Sequence, residues 1–252
     1  MHLEPYRWRV SRGFAAHLFK AVTQQHHRPL APTLARLVPA AGVVLDVGAH
    51  AGQFTKLFAG IASAGRVYAF EPGSYARSVL RAVVWLHRLD NVEILPLALG
   101  AAAGLARLNL PIKDSGSYGF GLSHLGSPAD RWHRVAAELV ALTTIDAVVA
   151  TLGLGRVDFI KADIEGWELS LLRGAEGTLR RFRPGLLIEL SQAHLDRAGD
   201  RLGDAFGFLE GLGYAAFKLA PGGALVPVTA PHDGDFWFIP AGEAASGDRA
   251  NR

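Results

Sequence analysis

Cysteine is absent from the 252 residues. Its absence excludes disulfide cross-links, thiolate zinc or iron–sulfur centres and a cysteine nucleophile. It also suits a reducing cytoplasm, the compartment expected for this protein. Long apolar runs are missing too, since no stretch approaches the ~18 uninterrupted apolar residues of a membrane span. The N-terminus, with Glu4 and scattered arginines, has no apolar core of a secretory signal. An excess of one charge is likewise lacking. Lys and Arg number 26 against 23 Asp and Glu, a net charge of +3. No basic run is interleaved with aromatics, so a nucleic-acid partner is not expected. What the chain does have is apolar bulk, at 50% of residues, which suits one large domain with a sizeable core.

Hydrophobic periodicity divides the chain. Residues 1–40 read as a helical extension, with Phe14, Leu18, Ala21 and Val22 at helical spacing. From 41 to 241 strands and helices alternate. Val43–Val47, Arg66–Phe70, Val92–Leu97, Val157–Ala162 and Leu186–Leu190 read as buried strands. Helical stripes lie between them: Phe54, Leu57, Phe58 and Ile61, then Tyr75, Val79, Val83 and Leu86, then Leu169, Leu172, Leu179 and Phe182. Residues 202–212 also read as helical. Leu105–Leu110 and Val140–Thr143 are expected as extra strands flanking an insertion at 111–134. Thr143 and Asp146 have capping-box spacing for a helix reaching about Leu152. Tyr214–Leu219 and Phe236–Ile239 read as an antiparallel terminal pair, and 242–252 as a disordered tail. Alternation of this kind implies an α/β fold with a mostly parallel central sheet and helices on both faces.

The first strand–helix turn reads Asp46-Val47-Gly48-Ala49-His50-Ala51-Gly52. In such sheets this turn sits at the carboxyl edge, where ligands bind. Gly48 permits a tight turn, Gly52 lets the helix pack near the strand, and the helix N-terminus offers free N–H groups. A dinucleotide requires Gly-x-Gly-x-x-Gly, because its pyrophosphate lies against the second glycine. Counted from Gly48, the second and third glycine positions hold His50 and Gln53. S-adenosylmethionine has no pyrophosphate and tolerates a side chain at 50. Asp46 is placed to receive its ammonium, directly or through water, and to accept helix N–H groups. Glu71, before Pro72 at the end of the second strand, can accept hydrogen bonds from both ribose hydroxyls. Ala98, within Leu97–Gly100, can line the adenine.

Further along stands Phe159-Ile160-Lys161-Ala162-Asp163-Ile164-Glu165-Gly166-Trp167-Glu168, then Leu172-Arg173-Gly174-Ala175. With Asp46–Ala49 and Gly52, Phe70-Glu71-Pro72, and Arg183-Pro184 followed by Glu189, it resembles the signature of the FkbM family of methyltransferases over residues 43–195. The resemblance implies a Rossmann-like class I methyltransferase fold, S-adenosylmethionine as cofactor and O-methylation, often of a sugar or secondary-metabolite hydroxyl. Family members commonly carry Asn where this chain has His50.

Methyl transfer is an in-line displacement, so the protein must align the acceptor and take its proton. Asp163 and Glu165 follow the fourth strand on the ligand-binding edge, and like charges this close raise one pKa. Asp163 is expected beside the cofactor's methionine end, with Glu165 or His194 handling the acceptor. A second reading gives Asp163, Glu165 and Glu189 a divalent cation. Lys161 is expected to pair with a carboxylate. Tyr118, Phe120, Trp132 and His133 line a substrate pocket or pack the insertion. Rival functions are an NAD-dependent oxidoreductase and a non-catalytic binding module.

Overall fold

The structure is a computed structural model that describes residues 3–5, 12–111, 124–125 and 135–242. Runs such as Val-Val-Leu-Asp-Val at 43–47 are apolar on both sides of the pleat, which suits a strand covered on both faces. Five parallel strands form the centre of the main sheet: β2 (Val43–Val47), β3 (Arg66–Phe70), β4 (Val92–Leu95), β9 (Phe159–Ala162) and β10 (Gly185–Leu190). With β11 (Tyr214–Leu219), β12 (Leu225–Pro227) and β13 (Gly234–Pro240), the order is β12-β11-β13-β10-β9-β2-β3-β4. The terminal pair is antiparallel as expected, with β13 inserted between β10 and β11 and antiparallel to both.

The chain runs outward through β2, β3 and β4 and then returns to β9 on the other side of β2. The carboxyl ends of β2 and β9 therefore flank the switch point, where a crevice forms. One sheet face packs on α5 (Ile145–Thr151), α6 (Glu168–Arg173), α7 (Glu176–Phe182) and α9 (Leu202–Gly211). The other packs on α2 (Ala31–Leu37) and α3 (Gln53–Ile61), where Phe58, Phe159 and Trp237 form an aromatic core. Helix α4 (Ser74–His87) covers the β3 side through Leu80. Helix α1 (Arg12–Thr23) lies on α4, burying Ala21 against Tyr75, Val79 and Val83. Among the described residues no helix is long and apolar enough to cross a membrane.

The structure corrects several boundaries. The third strand ends at Leu95, because Pro96 has no N–H to continue the ladder. Leu97–Leu99 instead forms β5 in a second sheet, paired with β8 (Val135–Thr143). That sheet also holds β1 (Leu3–Pro5), β6 (Gly104–Pro111) and β7 (His124–Leu125). Strand β8 is longer than Val140–Thr143 because it pairs with β6 along its whole length. The helix stripe from 169 to 182 divides into α6 and α7 at Gly174, whose Cα faces the Gly100 carbonyl so closely that a Cβ would collide with it. The cap of α5 is Thr144, not Thr143; its Oγ1 accepts from Ala147 N at 3.0 Å. Asp146 does not close a capping box. It crosses to the start of α7 and accepts from Gly177 N, Thr178 N and Thr178 Oγ1 at 2.9, 2.7 and 2.6 Å. Most of the insertion, with Tyr118, Phe120, Trp132 and His133, and the tail beyond Gly242 lie outside the described residues.

Asp146 thus serves as a helix cap supplied from a neighbouring helix. Asp146→Ala should lower unfolding free energy by about 1–2 kcal/mol in urea titrations. A loss below about 0.3 kcal/mol would show that the three bonds contribute nothing net.

Candidate active site

The β2–α3 turn is shaped by its backbone. Gly48 has φ +73°, and a Cβ there would collide with the Asp163 carbonyl oxygen on the neighbouring β9 loop. The N–H groups of Gly48 and Ala49 both reach the Phe70 carbonyl, at 3.1 and 3.0 Å, which folds the turn over the end of β3. His50 follows with φ +47°, uncommon for a residue with a side chain. Its N–H donates to Glu71 Oε2 at 2.8 Å. Gly52 is the N-cap of α3 and packs toward Leu80.

Glu71 is the hinge of the site. Its second oxygen, Oε1, accepts from Gly73 N at 2.8 Å, so one carboxylate ties the glycine turn to the approach of α4. Burial raises its pKa to about 7, against the opposing pull of those two N–H bonds. Arg77 steadies the same segment by donating to the Glu71 and Pro72 carbonyls. Glu138 of β8 caps α4, accepting from Ser74 N and Oγ at 3.0 Å.

Between these elements lies a cavity of about 300 Å³. The glycine turn, Glu71 and Pro72 form one wall; Leu97, Ala98 and Leu99 of β5, with Leu108, Leu110 and Leu125, form an apolar one. Leu125 comes from the insertion. Asp163, Glu165 and Glu189 close the carboxyl edge.

Lys161 organises that edge. Its Nζ lies 3.8 Å from Asp46 Oδ1 and 3.5 Å from Asp163 Oδ2, and donates to the Gly48 carbonyl at 3.1 Å. Asp163 and Glu189 share a hydrogen bond. Although Glu189 is exposed on one side, partial burial, the Asp163 charge and that shared bond raise it to about 8. Burial pulls the Asp163 pKa up, but Lys161 and the bond from Glu189 outweigh it and hold the group below the usual carboxylate range. Glu165, with φ +58°, turns its carboxylate to His194 Nδ1 at 3.2 Å and Arg197 at 3.7 Å. Glu168 caps the same loop, accepting from Ile164 N and Gly166 N at 3.1 Å, and burial raises it to about 7.

The structure therefore brings Gly48, Ala49, His50, Glu71, Pro72, Ala98, Asp163 and Glu165 onto one cavity. Asp46, Gly52 and His194 are not on its wall. Asp46 is fully buried and points to the α3 side of the sheet, where it takes the Thr55 hydroxyl at 2.6 Å rather than helix N–H groups. His194 sits in α8 (Gln192–Leu195) and reaches the cavity only through Glu165. The pairing expected between Asp163 and Glu165 is replaced by Asp163 with Glu189, one strand over. Among the described residues no three His, Asp or Glu side chains are grouped to hold a metal ion. Sequence reasoning missed Tyr75, Phe54, His27 and Glu138 on the wall. Helical spacing marks Phe54 and Tyr75 only as core-facing, and nothing local marks His27 or Glu138.

The chain is similar in sequence and fold to known methyltransferases. The profile of the FkbM methyltransferase domain matches residues 46–216. The AMB antimetabolite synthetase AmbE of Pseudomonas aeruginosa is 27% identical over 168 residues, 56% of this chain but 8% of that protein. An FkbM methyltransferase structure from Methylobacillus flagellatus superposes with a TM-score of 0.52 at 20% identity, covering 80% of this chain and 44% of that one. The chain thus spans less than half the length of either relative. An S-adenosylmethionine-dependent O-methyltransferase from Thermotoga maritima aligns over 88% of this chain and 69% of its own, at 12% identity and a TM-score of 0.44. A glycine turn, a carboxylate on the next strand and an acidic fourth-strand loop, all within one matched domain, place this chain in the FkbM family of S-adenosylmethionine-dependent methyltransferases, with the class I α/β fold.

Proposed function

We propose that the protein O-methylates a hydroxyl of a small organic molecule, with residues 41–241 as the catalytic unit. The observation that carries this is the Asp163–Glu189 carboxyl pair on the cavity wall. A hydroxyl must lose its proton as it attacks, and a base that ionises near working pH is the most effective one. The pair releases its second proton near pH 8 and supplies such a base. Glu165, oriented by His194 and Arg197, would hold the acceptor beside it.

The lining fits an adenosyl sulfonium. Glu71 retains lone pairs for a ribose diol after binding two N–H groups. Ala98 and its apolar neighbours provide a wall for the adenine, and the Gly48–His50 turn with Pro72 borders the ribose. Asp46 acts from behind by fixing Lys161, which in turn holds Gly48 and Asp163. When bound, the cofactor supplies the electrophilic methyl group. The protein aligns the acceptor, excludes water and takes the proton. Acidic groups on the wall, Glu138, Asp163 and Glu165 among them, disfavour a pyrophosphate or a nucleic-acid backbone. That supports a small neutral or cationic acceptor over the dinucleotide and nucleic-acid readings. The cysteine-free chain supports action in the cytoplasm.

Transfer of label from S-adenosylmethionine to a panel of sugars and phenolic or aliphatic alcohols tests the reading. Asp163→Ala should lower kcat by about 10²–10⁴-fold, as loss of a positioned base does. Full turnover in Asp163→Ala and Glu165→Ala would discard the assignment, and product on nitrogen or carbon alone would discard O-methylation.

The pH dependence carries a sign. Glu189 is raised, so the doubly ionised pair appears only as pH rises through about 8. The rate constant kcat should therefore climb with pH, reach half its maximum near 8 and level off about one unit higher. In Glu189→Gln that ionisation is gone, so the alkaline rise should disappear and kcat should be low and flat. An unchanged rise in Glu189→Gln would move the base elsewhere.

A further inference from the structure

Two stacked rings stand beside the acidic edge of the cavity. His27 and Phe54 both line it, and both are half-buried. Their ring centroids lie 4.0 Å apart with the planes 20° from parallel. Phe54 is in the first turn of α3. Lys161 Nζ stands 5.1 Å from its ring centre and 3.5 Å from Asp163 Oδ2. A single ammonium therefore links the aromatic pair to the carboxyl pair read above as the base. The charges that act on the His27 ring are those of Lys161, Asp235, His26 and Asp163, which sets it on that acidic edge.

The backbone on both sides of His27 is fastened. Gln25 Nε2 donates to the Gln53 carbonyl at 3.0 Å, and His26 N donates to Gln53 Oε1 at 3.3 Å. Lys56 Nζ, further along α3, donates to the Ala21 and Gln24 carbonyls at 2.6 and 2.7 Å. After His27 the chain enters a 3₁₀ turn (Arg28–Leu30), where Pro29 fixes φ and Leu30 N bonds the His27 carbonyl at 2.9 Å. The ring is held by this frame, yet among the described residues its nitrogens make no hydrogen bond. Burial, and then Lys161, hold its pKa below the ordinary value, so the imidazole is neutral at neutral pH. A neutral imidazole offers one donor and one acceptor.

We propose, on the O-methylation reading of the cavity, that His27 is a specificity-determining residue that selects an acceptor hydroxyl carried on a ring. The acceptor ring packs against the His27–Phe54 pair. A polar substituent beside the reacting hydroxyl hydrogen-bonds an imidazole nitrogen. Ring against ring buries a large area at little entropic cost, which an open-chain alcohol cannot match. A phenol with a neighbouring hydroxyl and a sugar diol both present this chemistry. His27 precedes the family-matched residues 46–216, whereas Phe54 lies within them. Acceptor preference in this chain therefore depends on its own N-terminal extension as well as on the shared domain.

The test uses the full chain and the alcohol panel above, with catechol, methyl glucoside and propylene glycol as matched vicinal diols. Ring acceptors should be preferred over propylene glycol, and the ring that is turned over separates an aromatic from a sugar substrate. For that acceptor His27→Ala should raise KM about tenfold with kcat within about twofold. His27→Phe keeps a ring but no nitrogen, and should raise KM only about threefold. Turnover of propylene glycol and calorimetric binding of S-adenosylhomocysteine should stay within about twofold in both variants, which also shows that they fold. In the natural chain, ring ¹⁵N resonances of His27 should shift when the acceptor joins the S-adenosylhomocysteine complex. An unchanged KM in His27→Ala, an equal loss for ring and open-chain acceptors, or an unmoved His27 ring would overturn the proposal. A natural chain that forms no oxygen-methylated product from any member of the panel would overturn the O-methylation reading itself, and so separates the two failures.

Discussion

One buried carboxylate joins the two halves of the binding edge. Glu71 receives the N–H of His50 with one oxygen and that of Gly73 with the other, each at 2.8 Å. The first bond closes the turn leaving β2, and the second shapes the entry to α4. Both turns face the cavity, so its geometry depends on this side chain. Burial of a carboxyl group is costly, and here the cost is offset by backbone donors that would otherwise be unsatisfied. The same residue that shapes the cavity therefore presents two acceptor oxygens to whatever enters it.

Topology supplies the other wall. The chain runs from β2 to β4 and returns through β9, so two loops face each other across the switch point. Gly48 allows them to touch, because any side chain there would strike the Asp163 carbonyl. Lys161 then stitches them together by reaching both the Gly48 carbonyl and the Asp163 carboxylate. The glycine turn and the acidic β9 loop are thereby held on one cavity. The short second sheet, with Leu108, Leu110 and Leu125, covers it with apolar surface.

Much of this was legible in the sequence, for physical reasons. Parallel strands buried on both faces leave unbroken apolar runs, and glycine turns and strand-end carboxylates recur where a nucleoside cofactor binds. Hence the sequence marks β2, β3, β9 and β10, and the residues from Gly48 to Glu71 that line the cavity. Lys161 pairs with carboxylates, as its place on the strand suggests. What stayed hidden depended on tertiary pairing. Pro96 moved Leu97–Leu99 into another sheet, a displacement that only the partner strand β8 reveals. The sequence suggests that Asp46 faces the ligand, but strand alternation turns it to Thr55 instead. Glu189 became the partner of Asp163 because β10 lies beside β9, a proximity in space with no trace in spacing. His194 came close to the site yet stopped behind Glu165, because the short α8 holds it there.

The most direct test of the account is a crystal structure of the protein with S-adenosylhomocysteine bound. The Glu71 carboxylate should lie within about 2.6–3.2 Å of the ribose hydroxyls while still holding the His50 and Gly73 N–H groups. The homocysteine end should run along the Gly48 turn toward Asp163. A ribose bound away from Glu71, or a ligand seated outside the cavity, would contradict it.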